Sequence, residues 1–438
     1  MAASISGPIE VTAGANEPFR GANEQPVAGP GLPPPVLIPF GYVEEEYFLS
    51  GEVDGRPYST SLLVRKPGDA SRFSGHVAVE TIHAAGAIPY WGSGREVWMR
   101  GGHGWVAVAS QRSALEGHVK RANPTRYASL DIPDSGEPDN PMAGMTANKQ
   151  DEISQAILTQ IGALLKGNPQ NGPFNGMEVQ YLTLGGSSQT GGTTLRYIQQ
   201  SHAHARMPDG KAIYDGYLPM EAFPTTPLPR VDAAIMHPVT EGDIDVFSSF
   251  GAYALRDDSE EPDDRYRHYQ LAGAPHVVTR GVTDPVAVFS TLADSIRPGE
   301  TLSQFPNAEF FTAFVSNFVA WVMQDVTPPT APRIEMAKGE IVRDEFGNAV
   351  GGLRSPYVDT PTVRYIASAP TAEGENFFRR LIGLQEPIPQ DRLRARYGSR
   401  ADYLQRFGEG IDRLTVDHWL QPADAQRLKE QEAQTASI

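Results

Sequence analysis

The sequence predicts an α/β fold in which a mostly parallel sheet carries helices on both faces. Short, nearly continuous apolar runs recur along the chain, a pattern typical of strands that are buried on both faces. Segments with helical periodicity separate these runs, and the order strand, helix, strand, helix is that of a parallel sheet. The chain has 438 residues and 40% hydrophobic content, which is enough for a large core.

The predicted strands begin with two runs on either side of Asp54-Gly55, a turn sequence that joins adjacent strands. Further apolar runs follow, each bounded by glycine or polar residues. In chain order we expect strands at 42–50, 59–65, 76–79, 105–109, 179–184 and 233–237, and a last strand that ends at 277–278.

The clearest predicted helix covers 149–166, and Gly167 is placed to end it. Its apolar residues share one face through spacings of four, four and three: Ile153, Ile157, Ile161 and Leu164. A helix over 284–296 begins at Asp284-Pro285, an N-cap residue followed by a proline at the first helical position. The periodicity also predicts helices at 194–200 and 310–322.

The remaining segments are rich in glycine, proline and polar residues. We expect one catalytic domain over 41–428, preceded by an irregular arm and followed by a polar tail. Within it we expect two insertions that cover the carboxyl edge of the sheet, and one acidic, solvated loop. The arm is 1–40, the insertions are 112–148 and 190–235, the acidic loop is 256–268 and the tail is 429–438.

The composition excludes several classes of function. The chain has 37 Lys+Arg and 53 Asp+Glu, a net charge of −16, which argues against nucleic acid and anionic membranes as main partners. With no cysteine, disulfides, cysteine-bound zinc and thiol nucleophiles are excluded. His202-x-His204 has no third metal ligand at a sensible spacing. We therefore expect no metal and no cofactor.

The N-terminal segment has no basic region and no apolar stretch of signal-peptide length, so as written it is not a secretory signal. We expect a soluble protein, because no apolar run is long enough for a membrane span. The compartment stays open, since a cytoplasmic protein and a secreted protein that has lost its signal would look the same.

A glycine-rich turn lies between a predicted strand and a predicted helix at 179–198. Residues 186–190, GSSQT, match four of the five positions of the nucleophile-elbow pattern G-x-S-x-G, with Ser188 as the nucleophile. Such a strained turn needs small residues around it, and Gly186 and Gly191 supply them. The following helix would direct the Gln189 N–H at a developing oxyanion. The alternative is a turn without chemistry.

An elbow serine needs a base and an acid, and their chain order in this type of fold is serine, acid, histidine. His276 lies at the tip of a turn of small residues, LAGAPH, and it fits the base. The acid should follow the strand at 233–237. Asp243 is favoured there, and Glu241 is a close second.

These residues belong to a wider pattern. The chain resembles a family of large α/β-hydrolase-domain proteins, many of them bacterial, from about 41 to 428. The resemblance is carried by GYVEEEYFLSG (41–51), LLVRKP (62–67), RFSGHVAVE (72–80), GWVAVASQ (104–111), GSSQTG (186–191), YDGYLP (214–219), TEGD (240–243), LAGAPH (271–276) and DEFGNAVGGLRSPYVD (344–359).

The resemblance implies an α/β-hydrolase fold with Ser188 as nucleophile, His276 as base and an acid within 240–243. In the family, the region after the strand that ends in Glu80 supplies a second oxyanion N–H. Thr81 or Ile82 stands there in this chain.

Three functions remain open. The first is a serine hydrolase that cleaves a small-molecule carboxylic ester through an acyl-enzyme. The second is an amidase, lactonase or acyltransferase with the same triad. The third is a non-catalytic binding protein on a hydrolase scaffold. The sequence leaves the oligomeric state open.

Overall fold

The computed structural model describes residues 3–10, 19, 37–137, 149–248, 254–280, 295–372, 375–436 and 438. Within them, ten strands form one sheet. These are β1 (Ser4–Ser6), β2 (Tyr42–Val53), β3 (Arg56–Pro67), β4 (His76–Thr81), β5 (Gly104–Val108), β6 (Tyr181–Ser187), β7 (Gly216–Met220), β8 (Ala234–Thr240), β9 (Ser259–Glu261) and β10 (Asp264–Leu271).

The strand order in the sheet is β1-β2-β3-β5-β4-β6-β7-β8-β10-β9. From β5 to β10 every neighbouring pair is parallel. Antiparallel pairs flank this block, with the long β2–β3 hairpin on one side and β9 on the other. The prediction of a mostly parallel sheet is therefore confirmed.

Helices cover both faces of the sheet, as predicted. They are α1 (Pro89–Gly101), α2 (Arg112–Ala114), α3 (Lys120–Ala122), α4 (Lys149–Gly167), α5 (Gln189–Arg196), α6 (Glu241–Ser248), α7 (Asn307–Gln324), α8 (Pro356–Asp359), α9 (Gln390–Tyr397), α10 (Arg400–Val416) and α11 (Pro422–Thr435). A Cβ on Gly185 would contact Tyr90 of α1, whereas one on Gly186 would contact Thr190 of α5. Because successive strand residues point to opposite faces, α1 and α5 lie on opposite sides.

Two small antiparallel hairpins complete the fold, β11 (Met336–Ala337) with β12 (Glu340–Ile341) and β13 (Val363–Ile366) with β14 (Leu384–Pro387). Hydrogen bonds hold the loop before α8 in place. Arg354 donates to Asp359 at 2.6 Å. Leu353 exchanges backbone hydrogen bonds with Gln270 and Ala272 at the end of β10. This loop therefore packs against the end of the strand that leads to His276.

A buried carboxylate fixes the start of α1. Glu80, the penultimate residue of β4, is fully buried and accepts the backbone N–H groups of Tyr90 at 2.6 Å and Trp91 at 2.9 Å. It also accepts the indole N–H of Trp105 at 3.1 Å. Three donors satisfy the carboxylate, so its burial is compatible with a stable core.

The segment 256–268, expected to be a solvated loop, instead contributes β9 and most of β10. His268 is buried beside His237 of β8, with ring centroids 4.6 Å apart. The charges that suggested exposure are paired, since Arg256 meets Asp264 at 2.7 Å and Arg267 binds Glu260. Ion pairing therefore allows this charged segment to enter the sheet.

One of the expected insertions needs correction. Range 190–235 contains β7, an inner strand between β6 and β8, so it is not an insertion as a whole. In 112–148 the described part, 112–137, contains helical turns and buried Tyr127, Leu130 and Ile132.

The helix predicted at 149–166 is confirmed as α4, and that at 310–322 as part of α7. Nearly all of the helix predicted at 284–296 lies outside the described residues, as do most of the N-terminal arm and 138–148. Val277 makes only an isolated bridge, to Ile382, so the last large strand ends earlier than expected. Among the described helices, none is both long and apolar enough to cross a membrane.

Candidate active site

Four parallel strands deliver polar side chains to one edge of the sheet. Ser188 follows β6, Glu221 follows β7, Asp243 lies in α6 directly after β8, and His276 lies in the turn after β10. Carboxyl ends of parallel strands meet at the same edge, and ligand sites of α/β folds lie there. The topology therefore brings together groups that are far apart in sequence.

Ser188 occupies a strained turn between β6 and α5. Its backbone has φ 56° and ψ −120°, a conformation that non-glycine residues rarely adopt. Its N–H donates to the Met220 carbonyl at 3.0 Å. The Thr190 hydroxyl donates to the Ser187 carbonyl and accepts the Ser187 N–H, both at 3.0 Å. Threonine at the fifth position of the pattern thus stabilises the turn directly.

The small residues around Ser188 have the steric role that the sequence suggested. A Cβ on Gly186 would lie 2.6 Å from the Thr190 carbonyl group, and one on Gly191 would lie 2.3 Å from the Met220 carbonyl oxygen. Gly186 lies in β6, where it pairs with Pro219, so it belongs to the strand that precedes the turn. It gives the turn room to form.

A chain of hydrogen bonds runs from the serine to a buried acid. The Ser188 hydroxyl lies 3.0 Å from His276 Nε2, and His276 Nδ1 lies 2.5 Å from Asp243 Oδ1. The other oxygen of Asp243 accepts the Thr240 N–H at 2.7 Å. Asp243 is fully buried, so its two acceptors are committed to these two donors. A proton on Nδ1 leaves Nε2 free to accept the serine proton.

Electrostatics favour the protonated form of His276. Burial opposes its positive charge, but the charge and hydrogen bond of Asp243, together with the charge of Glu221, raise the pKa of His276 to about 9. His83, in the loop after β4, interacts electrostatically with His276. Burial, followed by the charges of His276 and His118, lowers the pKa of His83 to about 4.

The structure brings Asp243, and not Glu241, to the histidine. Glu241 is fully buried at the start of α6, where it accepts the Gly273 N–H at 2.7 Å and an Arg343 N–H at 2.8 Å. Gly273 belongs to the turn that carries His276. Glu241 therefore ties that turn to α6 and to the segment before α8.

The two sides of the expected oxyanion site differ. Gln189 is the first residue of α5, where helix N–H groups have no intrahelical partner, and its side chain accepts the Ala84 N–H at 3.3 Å. The Ile82 N–H instead donates to the Val108 carbonyl at 2.9 Å, so it is not available to a ligand. Thr81 ends β4 with its hydroxyl 3.2 Å from that of Ser110. The second oxyanion donor is therefore sought not at Thr81 or Ile82 but in the loop that follows β4, where Ala84 lies.

Sequence reasoning missed Glu221. Its carboxylate is buried, accepts the Ser187 hydroxyl, and is grouped with Asp243 and His276. In the described part of the chain this is the one group of three acidic or histidine residues with potential ligand atoms all within 4.8 Å of one another. Two of its members are already hydrogen-bonded to each other, and the serine completes the chain. The four side chains therefore lie together at this edge of the sheet.

A comparison with protein families supports the fold. A family model described as an alpha/beta hydrolase domain matches residues 5–430. No curated protein sequence matches the chain. Solved structures match over part of their length.

Three of these structures illustrate the similarity. The chain has 11% identity with a prolyl endopeptidase, covering 53% of this chain and 35% of that one, with a TM-score of 0.31. The identity with a carbohydrate esterase family 15 glucuronoyl esterase from Caldicellulosiruptor kristjansonii is 12%, covering 40% of this chain and 41% of that one, with a TM-score of 0.25. The identity with a promiscuous esterase of the same family from a marine bacterial metagenome is 8%, covering 46% of this chain and 64% of that one, with a TM-score of 0.28. The chain thus spans about a third of the prolyl endopeptidase.

Proposed function

Because this chain belongs to the alpha/beta hydrolase domain family, we propose that it is a serine hydrolase that cleaves a carboxylic ester. The observation that supports this most is the hydrogen-bond chain from Ser188 through His276 to the buried Asp243, at 3.0 and 2.5 Å. A strained serine at the carboxyl edge of the sheet, with a base and an acid in line, suits nucleophilic attack.

In the proposed reaction, Ser188 Oγ attacks the ester carbonyl while His276 Nε2 takes the hydroxyl proton. The resulting imidazolium gives this proton to the leaving alcohol, and an acyl-enzyme remains on the serine. Water then attacks the acyl group, His276 accepts one proton from that water, and the carboxylic acid leaves as Ser188 regains its proton. Asp243 holds the ring with its proton on Nδ1 throughout.

We assign the oxyanion site to the Gln189 N–H and to the Ala84 N–H. Ala84 lies in the loop after β4, and its N–H points at the side chain of Gln189 through a long, weak hydrogen bond of 3.3 Å. An oxyanion is a stronger, charged acceptor, so it can displace the Gln189 side-chain oxygen from the Ala84 N–H. Preorganised donors of this kind contribute about 10²–10³ in rate each.

Hydrolysis of p-nitrophenyl esters of increasing acyl length tests the proposal. We expect the unmodified protein to turn over at least one short ester and Ser188→Ala to lose turnover while keeping its far-UV circular dichroism. Ser93→Ala is the matched control, because Ser93 is a buried serine that binds the Pro89 carbonyl within α1. Full esterase activity in Ser188→Ala would overturn the assignment. A parallel panel of anilides and lactones separates ester cleavage from amide or lactone cleavage.

A further inference from the structure

A second buried carboxylate lies beside the proposed triad. Glu221 directly follows β7, the strand between the one that carries Ser188 and the one that leads to Asp243. Its side chain is within 4.8 Å of both Asp243 and His276, measured between their nearest potential ligand atoms. Two carboxylates, one directly after β7 and one in α6, therefore lie beside one imidazole.

The backbone of Glu221 is fixed in a strained conformation. Its φ is 54°, in the left-handed region, and its N–H donates to the Pro238 carbonyl of β8 at 3.0 Å. The preceding carbonyl, of Met220, accepts the Ser188 N–H at 3.0 Å. One short turn thus holds both the nucleophile backbone and the second acid. Strain of this kind persists where the surrounding structure enforces it.

A neighbouring hydroxyl orients the carboxylate. Ser187, the residue before the nucleophile, donates its side-chain hydroxyl to Glu221 Oε2. The backbone of Ser187 is itself clamped by the Thr190 hydroxyl at 3.0 Å. The elbow therefore sets the position of Glu221 as well as that of Ser188.

Two other elements contribute titratable groups that act on Glu221 or His276. Asp243 of α6 interacts electrostatically with both groups, and His83 of the loop after β4 interacts electrostatically with His276. Burial, opposed by His276 and reinforced by Asp243, raises the pKa of Glu221 to about 7. Because the Glu221 carboxyl is costly to ionise in this buried site, its ionised form is stabilised most when the His276 imidazolium forms next to it.

We propose that Glu221 is a positioning residue of the same reaction, whose carboxylate acts as a second negative charge that stabilises the His276 imidazolium, and that the Ser187 hydroxyl holds it there. This inference rests on the proposed function, since it needs His276 to work as the base of Ser188. Asp243 fixes the tautomer through Nδ1. Glu221 adds charge without occupying that hydrogen bond.

The inference predicts a change in pH dependence that a purely structural role would not produce. A nearby opposite charge moves a pKa by about 1–3 units, and Asp243 remains in place when Glu221 is neutralised. We therefore expect Glu221→Gln to lower the pKa of His276 by about one unit. The base form of His276 would then survive to lower pH, so the acidic limb of the activity profile shifts to lower pH.

The experiment measures the rate of Ser188 labelling by a fluorophosphonate between pH 5 and 10, which needs no natural substrate. Glu221→Gln should move the midpoint down by about one pH unit. Glu221→Asp keeps the charge, so its midpoint should lie close to that of the wild type. Asp245→Asn is the matched control: its half-buried carboxyl lies on α6 but faces Arg343, at 3.7 Å, so the midpoint should stay.

Ser187→Ala provides a second route that keeps the carboxylate. Without this hydroxyl donor, the ionised form of Glu221 is less stable relative to the neutral form. The midpoint should therefore also move down, by less than in Glu221→Gln. A slower Glu221→Gln variant with an unmoved midpoint, or a midpoint that moves up, would overturn the inference. Failure of the unmodified protein to label at Ser188 would instead refute the proposed function, so the two failures are distinguishable.

Discussion

Replacing Asp243 by asparagine should remove nearly all activity, because it forces the wrong tautomer on His276. Asp243 Oδ2 accepts the Thr240 N–H at 2.7 Å, so the amide oxygen of an asparagine must take that position. The amide NH₂ then faces His276 Nδ1, where Oδ1 now lies at 2.5 Å. A donor there makes Nδ1 the acceptor and moves the ring proton to Nε2, which can no longer accept the proton of Ser188.

The magnitude follows from the complete burial of this site, where no water can replace the lost acceptor. The same substitution in serine proteases lowers kcat about 10⁴-fold. At about 1.4 kcal/mol per factor of ten, this is a loss of roughly 5.5 kcal/mol of transition-state stabilisation. Asp243→Ala removes the carboxylate without introducing a donor, so we expect it to lose no more activity than Asp243→Asn.

The assay is steady-state hydrolysis of the best p-nitrophenyl ester, with kcat and KM determined separately. We expect the loss in kcat, since Asp243 does not contact the substrate in the proposed reaction. Circular dichroism and the urea midpoint serve to show that the variants are folded. If folded Asp243→Asn kept more than a tenth of the wild-type kcat, the tautomer argument and the assignment of the acid would both be refuted.

Three further predictions concern the base, the elbow and the core. Because the pKa of His276 is raised from its usual 6.5 to about 9, its base form accumulates only as pH rises, so kcat/KM should increase between pH 7 and 9; a plateau from pH 6 upward would contradict this. Gly191→Ala places a Cβ 2.3 Å from the Met220 oxygen, and the resulting displacement should cost about 10²-fold in kcat, whereas Gly167→Ala, with no atom within 4 Å, should match the wild type. Glu80→Gln turns an NH₂ group toward buried donors, and urea unfolding should show a loss of about 1–3 kcal/mol; unchanged stability would count against the carboxylate acting as acceptor.

The central parts of the site could be predicted because each leaves a local pattern. The elbow requires small residues around Ser188, and the chain order places the base after it. Of the histidines there, only His276 stands at the tip of a turn of small residues, LAGAPH. The choice between Asp243 and Glu241 needed three dimensions. Both follow β8, and only their directions differ, since Glu241 meets Arg343 at 2.8 Å while Asp243 meets His276.

Glu221 had no comparable pattern in the sequence. The strand before it is short and contains Pro219, a residue that usually argues against an inner strand because it lacks an N–H. Glu221 falls within 190–235, a range whose proline and aromatic content suggested an insertion. The prediction of a solvated loop at 256–268 was wrong for a related reason. The charges in a single sequence do not show which of them form ion pairs.

The oxyanion donors illustrate a third limit. Thr81 and Ile82 lie at the right end of β4, but hydrogen bonding decides which N–H groups are available. The Ile82 N–H extends the contact with β5 at 2.9 Å, and the chain turns toward Gln189 only at Ala84. Sequence position alone cannot distinguish a donor that is used in the sheet from one that faces the site.

Intact mass spectrometry after treatment with a fluorophosphonate, followed by peptide mapping, tests the central claim most directly. The proposed mechanism predicts one adduct per chain, located on Ser188, and no adduct on folded Ser188→Ala. Ser93→Ala should label like the wild type. An adduct on another residue, or no adduct on the folded wild-type protein at pH 8 to 9, would contradict the claim that Ser188 is an activated nucleophile.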